Sequence, residues 1–247
     1  MRHVRFAVAV LVLFTASSTR AAWVDTFAGG TPQQTWVYAA QPDGSNFTAS
    51  YFSDGVRLES TAAITGQPGG GAAAVFGVVN KVFDSSVSVR AVVNPDGEDD
   101  LWLNVGLLAH LNPVLGNGYS LTIKYDEDTH SADISKITGG TTIVGLESEA
   151  IPGFSTTATY ILELDVVGTH LTGRVYDTDE NLLLTLSAID PNPYTSGVAG
   201  ILAQRDFGDP TLLGVFGMVS AVPEPGSLLL VVLGALALAL RRRRRHG

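Results

Sequence analysis

Apolar and polar residues alternate with a period of two along most of this chain. The segment Tyr119-Ser-Leu-Thr-Ile-Lys-Tyr125 puts Tyr119, Leu121, Ile123 and Tyr125 on one face and Ser120, Thr122 and Lys124 on the other, the signature of a half-buried strand. Tyr160 to Val166 repeats it, with Tyr160, Leu162, Leu164 and Val166 facing away from Ile161, Glu163 and Asp165. Further strands are predicted at Gly55–Ser60, Phe83–Val93, Leu101–Ala109, Ala132–Thr138, Thr141–Leu146, Leu171–Tyr176, Leu182–Leu186, Val198–Ala203 and Leu213–Val219. Turn clusters separate them, among them Asn94-Pro-Asp-Gly97, Gly116-Asn-Gly118, Gly139-Gly140 and Pro191-Asn-Pro193. Many short strands at this spacing predict an all-β, antiparallel sandwich over residues 23–221. With Gly168 and Thr169 as a two-residue turn, Glu163 faces Arg174 and Asp165 faces Thr172.

The two ends break the alternation. Arg2 and Arg5 precede an apolar run from Ala7 to Phe14, and small residues follow from Thr15. Residues 1–22 therefore read as a secretory signal peptide, cut between Ser18 and Ala22. At the other end, Leu228 to Leu240 holds only Leu, Val, Ala and Gly234, and Arg241, Arg242, Arg243, Arg244 and Arg245 follow. A helix over residues 226–240 spans about 22 Å, less than the roughly 30 Å of a bilayer core. Ala221 and Val222 can lengthen it, and snorkelling arginines relieve the mismatch. Pro223 and Pro225 place the helix start at or after Pro225. The arginine block is costly to translocate and stays cytoplasmic, which puts the domain on the periplasmic side.

Charge and composition narrow the function. Between Trp23 and Val222 there are 7 lysines and arginines against 23 aspartates and glutamates, a net charge of −16. Such a surface repels phosphate backbones and argues against nucleic acid. The chain has no cysteine, which removes disulfides, thiolate metal sites and a cysteine nucleophile together.

Pro223-Glu224-Pro225, a short apolar span and a terminal arginine cluster resemble the PEP-CTERM sorting signal of Gram-negative bacteria, here residues 222–247. The resemblance implies an inner-membrane anchor and an exosortase partner that recognises Pro223, Glu224 and Pro225, with the five arginines as the membrane stop. It also implies a link to extracellular polysaccharide and release to the cell surface or matrix. The strand order resembles concanavalin A-like, laminin-G-type jelly rolls, carried by Trp36, Asp54-Gly-Val-Arg-Leu58, Asn117-Gly-Tyr-Ser-Leu-Thr-Ile123, Tyr160 to Gly168 and Gly197-Val-Ala-Gly-Ile201. Laminarinase-type glycoside hydrolases share that fold and carry Glu-x-Asp-x-x-Glu on one strand. Here the run is Glu163-Leu-Asp165-Val-Val-Gly168, and glycine stands where the acid/base residue is required.

Candidate chemistry is sparse. Asp96–Asp100, Asp126–Asp128 and Asp177–Asn181 are acidic loops of the kind Ca²⁺ takes, and Asp177, Asp179 and Asn181 are the candidate ligands. None has EF-hand spacing, and solvated turn charge is the commoner origin of such loops. Trp36, Trp102 and Tyr194 are candidate sugar-stacking rings, though core or rim packing is their commoner use. The sequence therefore predicts an exported envelope or matrix protein with no catalytic residue and a jelly roll that binds glycan or a surface partner. The alternative is a polysaccharide-active enzyme on the same fold.

Overall fold

The alternation becomes two stacked antiparallel sheets. A computed structural model describes residues 22–41, 47–60, 73–84, 86–95, 103–126, 129–139, 142–205 and 212–223. Residues 1–21 of the expected signal peptide, Glu224, Pro225, the membrane segment expected at 226–240, the arginine block, Trp102 and the loop at 96–100 lie outside them. The first strands are β1 (Trp23–Asp25), β2 (Trp36–Gln41), β3 (Phe47–Phe52), β4 (Gly55–Ser60), β5 (Ala73–Asp84), β6 (Ser86–Asn94), β7 (Leu103–Asn112) and β8 (Asn117–Asp126). They are followed by β9 (Thr129–Thr138), β10 (Thr142–Ala150), β11 (Tyr160–Val167), β12 (His170–Tyr176), β13 (Leu182–Ile189), β14 (Ser196–Arg205) and β15 (Leu212–Val222). One sheet runs β13-β12-β11-β6-β15-β4-β3 with β1 against β15, and the other runs β10-β9-β8-β7-β14-β5-β2. We call these the back and front sheets.

The predicted strands are found, with three differences. The strand predicted over Phe83–Val93 is the end of β5 and most of β6, two strands in different sheets. β1, β2, β3 and the part of β5 before Phe83 went unpredicted; β2 and β3 alternate weakly. Ala221 and Val222 pair with Val89 and Ser88, so they belong to the sandwich and do not extend the membrane segment. The predicted hairpin register holds: Glu163 faces Arg174, Asp165 faces Thr172, and Gly168 turns at φ 60°. Among the described residues no helix is long and apolar enough to cross a membrane.

The core fills the space between the sheets. Leu162, Leu164 and Val166 of β11 meet Tyr119, Leu121 and Ile123 of β8 in one buried cluster with Phe83, Ile201 and Phe216. A stack of Tyr125, His130, Phe154 and Tyr160, at centroid spacings of 5.8, 4.9 and 5.5 Å, closes one corner.

Strand ends define two poles. Trp23 pairs with Ala221, so β1 starts and β15 ends side by side. Asn112, Asn117 and Ser196 lie at this terminal pole. Gln204, Asn104 and Lys124 form a row at the distal pole, where β14 ends and β15 begins.

Two front-sheet glycines allow the strands to approach closely. A Cβ on Gly200 would lie 2.0 Å from the Gly77 carbonyl oxygen and 2.9 Å from the Val78 Cα, and one on Gly106 would lie 2.0 Å from the Leu121 carbonyl oxygen. The obstacle is backbone in each case. Gly200→Ala should lower the melting temperature by about 5 °C, from roughly 2 kcal/mol of overpacking. Gly145→Ala, with nothing within 4 Å of the added carbon, is the matched control. Equal melting temperatures for the two variants would refute the close-approach reading.

Candidate functional site

Side chains that alternate away from the core on the front sheet form a groove. Register sets its rows: Lys124 lies beside Asn104 and Asn104 beside Gln204; Asp133 lies beside Thr122; Gly145, Ser135, Ser120 and Leu108 follow in line. The depression holds about 300 Å³ and is lined by Asn104, Ser120, Thr122, Lys124, Asp133 and Gln204, with Ile143 and Leu202 as apolar shoulders. Ser120, Thr122 and Ser135 are buried although they point away from the core. The β5–β14–β7 side of this face is apolar, where Val78, Leu108, Leu111, Ile137, Val198 and Leu202 form a second buried cluster with Phe76 against it. One side of the groove thus offers donors and acceptors and the other an apolar wall.

One acceptor in the groove lacks a partner. The Asn104 Oδ1 is fully buried and accepts no hydrogen bond, while its Nδ2 lies a long 3.5 Å from Gln204 Oε1. An unmet buried acceptor costs free energy that a ligand hydroxyl would recover. Asp133 accepts from the Ser148 hydroxyl.

The carboxylates singled out in the sequence lie elsewhere. Glu163 and Asp165 sit on the outer face of the back sheet, and both accept from Arg174 Nη1. Arg90 bridges Glu163 at 3.6 Å and Glu180 at 2.8 Å. The predicted Glu163–Arg174 pair is therefore part of a charge network across β6, β11, β12 and the β12–β13 turn, on the sheet opposite the groove.

Asp177, Asp179 and Asn181 occupy the turn between β12 and β13. Asp177 Oδ1 accepts from the backbone N–H groups of Asp179 and Asn181, each at 2.9 Å, and its Oδ2 accepts from Asn181 Nδ2 at 2.9 Å. These bonds hold its carboxyl below the usual carboxylate range. The Asp177 and Asn181 side chains thus close the turn on itself. Among the described residues no three acids or histidines gather as a metal cluster.

The two described aromatic candidates serve packing. Trp36 lies against Trp23, Phe27 and Tyr38, and its indole N–H donates to Asp25. Tyr194 covers Lys136, whose Nζ is 4.7 Å from the ring centre. Its carbonyl lies 2.8 Å from His110 Nδ1, a buried ring whose pKa is lowered by desolvation and so stays neutral.

Sequence reasoning missed the groove because it is assembled from β7, β8, β9, β10 and β14, and no local motif encodes their register. The alternation did place Ser120, Thr122 and Lys124 on the non-core face of β8, which is the groove face.

This architecture is that of a lectin-like jelly roll. The fold is similar to the CBM2 module of the evolved Dit of Lactobacillus casei BL23 phage J-1, at 12% identity and TM-score 0.58, covering 81% of this chain and 93% of that one. It is also similar to a Bacillus subtilis protein of unknown function with a galectin-like fold, at 11% identity and TM-score 0.55, covering 82% and 96%. The Lotus tetragonolobus seed lectin is similar at 9% identity and TM-score 0.52, covering 83% and 98%. At these identities the likeness shows the fold alone. Residues 221–244 match the PEP-CTERM protein-sorting motif, so the chain joins a jelly-roll domain to a PEP-CTERM sorting signal. No curated protein matches the chain in sequence.

Proposed function

We propose that this is an exported, non-catalytic glycan-binding protein of the cell envelope or matrix, handled through its tail by an exosortase. Pro223, Glu224 and Pro225 are the recognition residues, the segment at 226–240 is the inner-membrane anchor, and Arg241–Arg245 are the stop. The front-sheet groove is the binding site. The observation that carries this is the groove itself: hydroxyls, amides and a carboxylate face a 300 Å³ depression holding the unpartnered Asn104 Oδ1. A few placed polar groups beside apolar shoulders suit a ligand rich in hydroxyls.

The enzyme alternative loses support from the placement of Glu163 and Asp165, which Arg174 holds away from the groove. A polysaccharide panel tests the choice. Retention of a glycan without release of reducing ends is the expected result, and Asn104→Leu should weaken it by about tenfold, roughly one buried hydrogen bond. Release of reducing ends that is lost in Glu163→Gln would establish the hydrolase instead. The intact mass of the protein recovered outside the cell should lack the N-terminal leader and the residues beyond the Pro-Glu-Pro. An uncut chain in the cytosol would end the sorting half of the proposal.

A further inference from the structure

The groove contains a cation, Lys124, that has no partner among the described residues. Arg57 meets Glu59, Lys81 meets Gln34, Arg90 meets Glu163 and Glu180, Lys136 meets Asp190, and Arg174 meets Glu163 and Asp165. Lys124 lines the groove and makes no ion pair or hydrogen bond with any described residue. In a domain of net charge −16, where cations are scarce, this arrangement leaves a positive charge at the binding surface. Next to it in the same row stands Asn104, whose Oδ1 lacks a donor. One row further in, on the neighbouring strand β9, stands the Asp133 carboxylate.

We infer that the ligand is an acidic sugar, with a carboxylate on Lys124, one hydroxyl donating to Asn104 Oδ1 and another to Asp133. This rests on the glycan reading of the groove and names the class of glycan. Three features favour an acidic over a neutral sugar. No aromatic ring is among the described lining residues, so these residues offer hydrogen bonds and charge rather than stacking on a sugar face. A charge-assisted bond to an ammonium is about twice as strong as a neutral one. The order ammonium, amide, carboxylate fixes one orientation, because reversing the sugar would set its carboxylate against Asp133. The acidic surface elsewhere repels a polyanion, so capture is confined to the groove and discriminates against wrong registers.

The test compares an oligouronate with the same oligomer after its carboxyls are reduced to alcohols. Calorimetric titration of the protein as recovered outside the cell should show at least about tenfold tighter binding of the acid form, the worth of one charge-assisted bond. Lys124→Met should erase that preference, and Lys124→Arg should keep it. Lys124 is only part-buried, so both variants should melt with the parent. Equal affinity for the two oligomers in the parent protein, or a preference that survives Lys124→Met, would overturn the acidic-sugar inference and leave the glycan reading intact. If neither oligomer nor any neutral glycan of the panel binds, the glycan reading falls and this inference with it.

Discussion

Replacing Asp25 with alanine should lower the melting temperature of the domain by about 10 °C. Asp25 is fully buried at the end of β1, with no cation against it. Its Oδ1 accepts from the Phe27 N–H at 2.9 Å, and its Oδ2 accepts from the Gln33 and Gln34 N–H groups at 3.1 and 3.0 Å and from Trp36 Nε1 at 2.8 Å. That carboxylate holds the loop between β1 and β2, including Phe27 at φ 51°. The alanine variant leaves these donors without their acceptor. Gln33 and Gln34 lie near the surface and can turn to water, whereas the Phe27 amide and the Trp36 indole are poorly placed to do so. Two unmet buried donors at about 1–3 kcal/mol each give a cost of about 4 kcal/mol. For a domain of this size each kcal/mol moves the midpoint by about 2–4 °C. Thr26→Ala, which loses only the exposed bond from the Gln33 side chain, should move it by less than a degree or two. A calorimetric midpoint for Asp25→Ala within 2 °C of the parent would show that water replaces the carboxylate freely and that the loop does not depend on it.

Asp190→Ala should be nearly as damaging, and its effect should depend on pH. The Asp190 carboxylate is buried between β13 and β14 and accepts from the Tyr119 hydroxyl at 2.7 Å and the Asn192 N–H at 3.0 Å, with Lys136 Nζ at 2.7 Å. The Tyr119 oxygen in turn accepts from the Tyr194 N–H at 2.9 Å. Burial opposes the charge on Asp190, but Lys136, Tyr119 and the Asn192 amide outweigh it and hold the carboxyl below its usual range. Removing one partner of such a buried pair costs about 3–5 kcal/mol. A folded pKa below the unfolded value of about 3.9 means that the unfolded chain binds the proton first. The stabilisation is therefore complete above about pH 5 and fades as the pH falls through 4 towards the folded value. Urea midpoints between pH 3 and 7 should show this fall in the parent and a shallower one in Asp190→Asn. An unchanged acid slope in the variant would place the acid sensitivity elsewhere.

The parts of this molecule legible in sequence are those whose information is local. The β11–β12 hairpin was readable to the residue, because alternation fixes which side chains share a face and Gly168-Thr169 fixes the turn, and together they determine the register of Glu163 against Arg174. The sorting tail was readable because Pro223, the apolar run and the arginines act in one linear order. The Phe83–Val93 strand was misread because only Ser85 separates β5 from β6 along the chain, and a change of sheet leaves no mark on hydrophobic periodicity. The groove was hidden for a related reason. Lys124 and Asn104 are twenty positions apart, and Asn104 and Gln204 a hundred, and only strand pairing makes them neighbours. The outward positions Val78, Leu108 and Leu202 also carry apolar residues, so that face does not look like a solvent face in sequence. Asp25 gave one usable sign: an acid just before a loop that leads to Trp36, whose indole N–H donates to it, whereas Gln33 and Gln34 donate through backbone amides that leave no mark in sequence.

The side-by-side pairing of Trp23 with Ala221 has a consequence for handling the intact molecule. Both covalent attachments of the sandwich leave from one end, while Gln204, Asn104 and Lys124 stand at the other, across a β15 of eleven residues and about 35 Å of extended chain. Held by its tail as proposed above, the domain would present its polar row away from the point of attachment. A cut in that tail would change where the domain is held and leave the contour of its far end untouched.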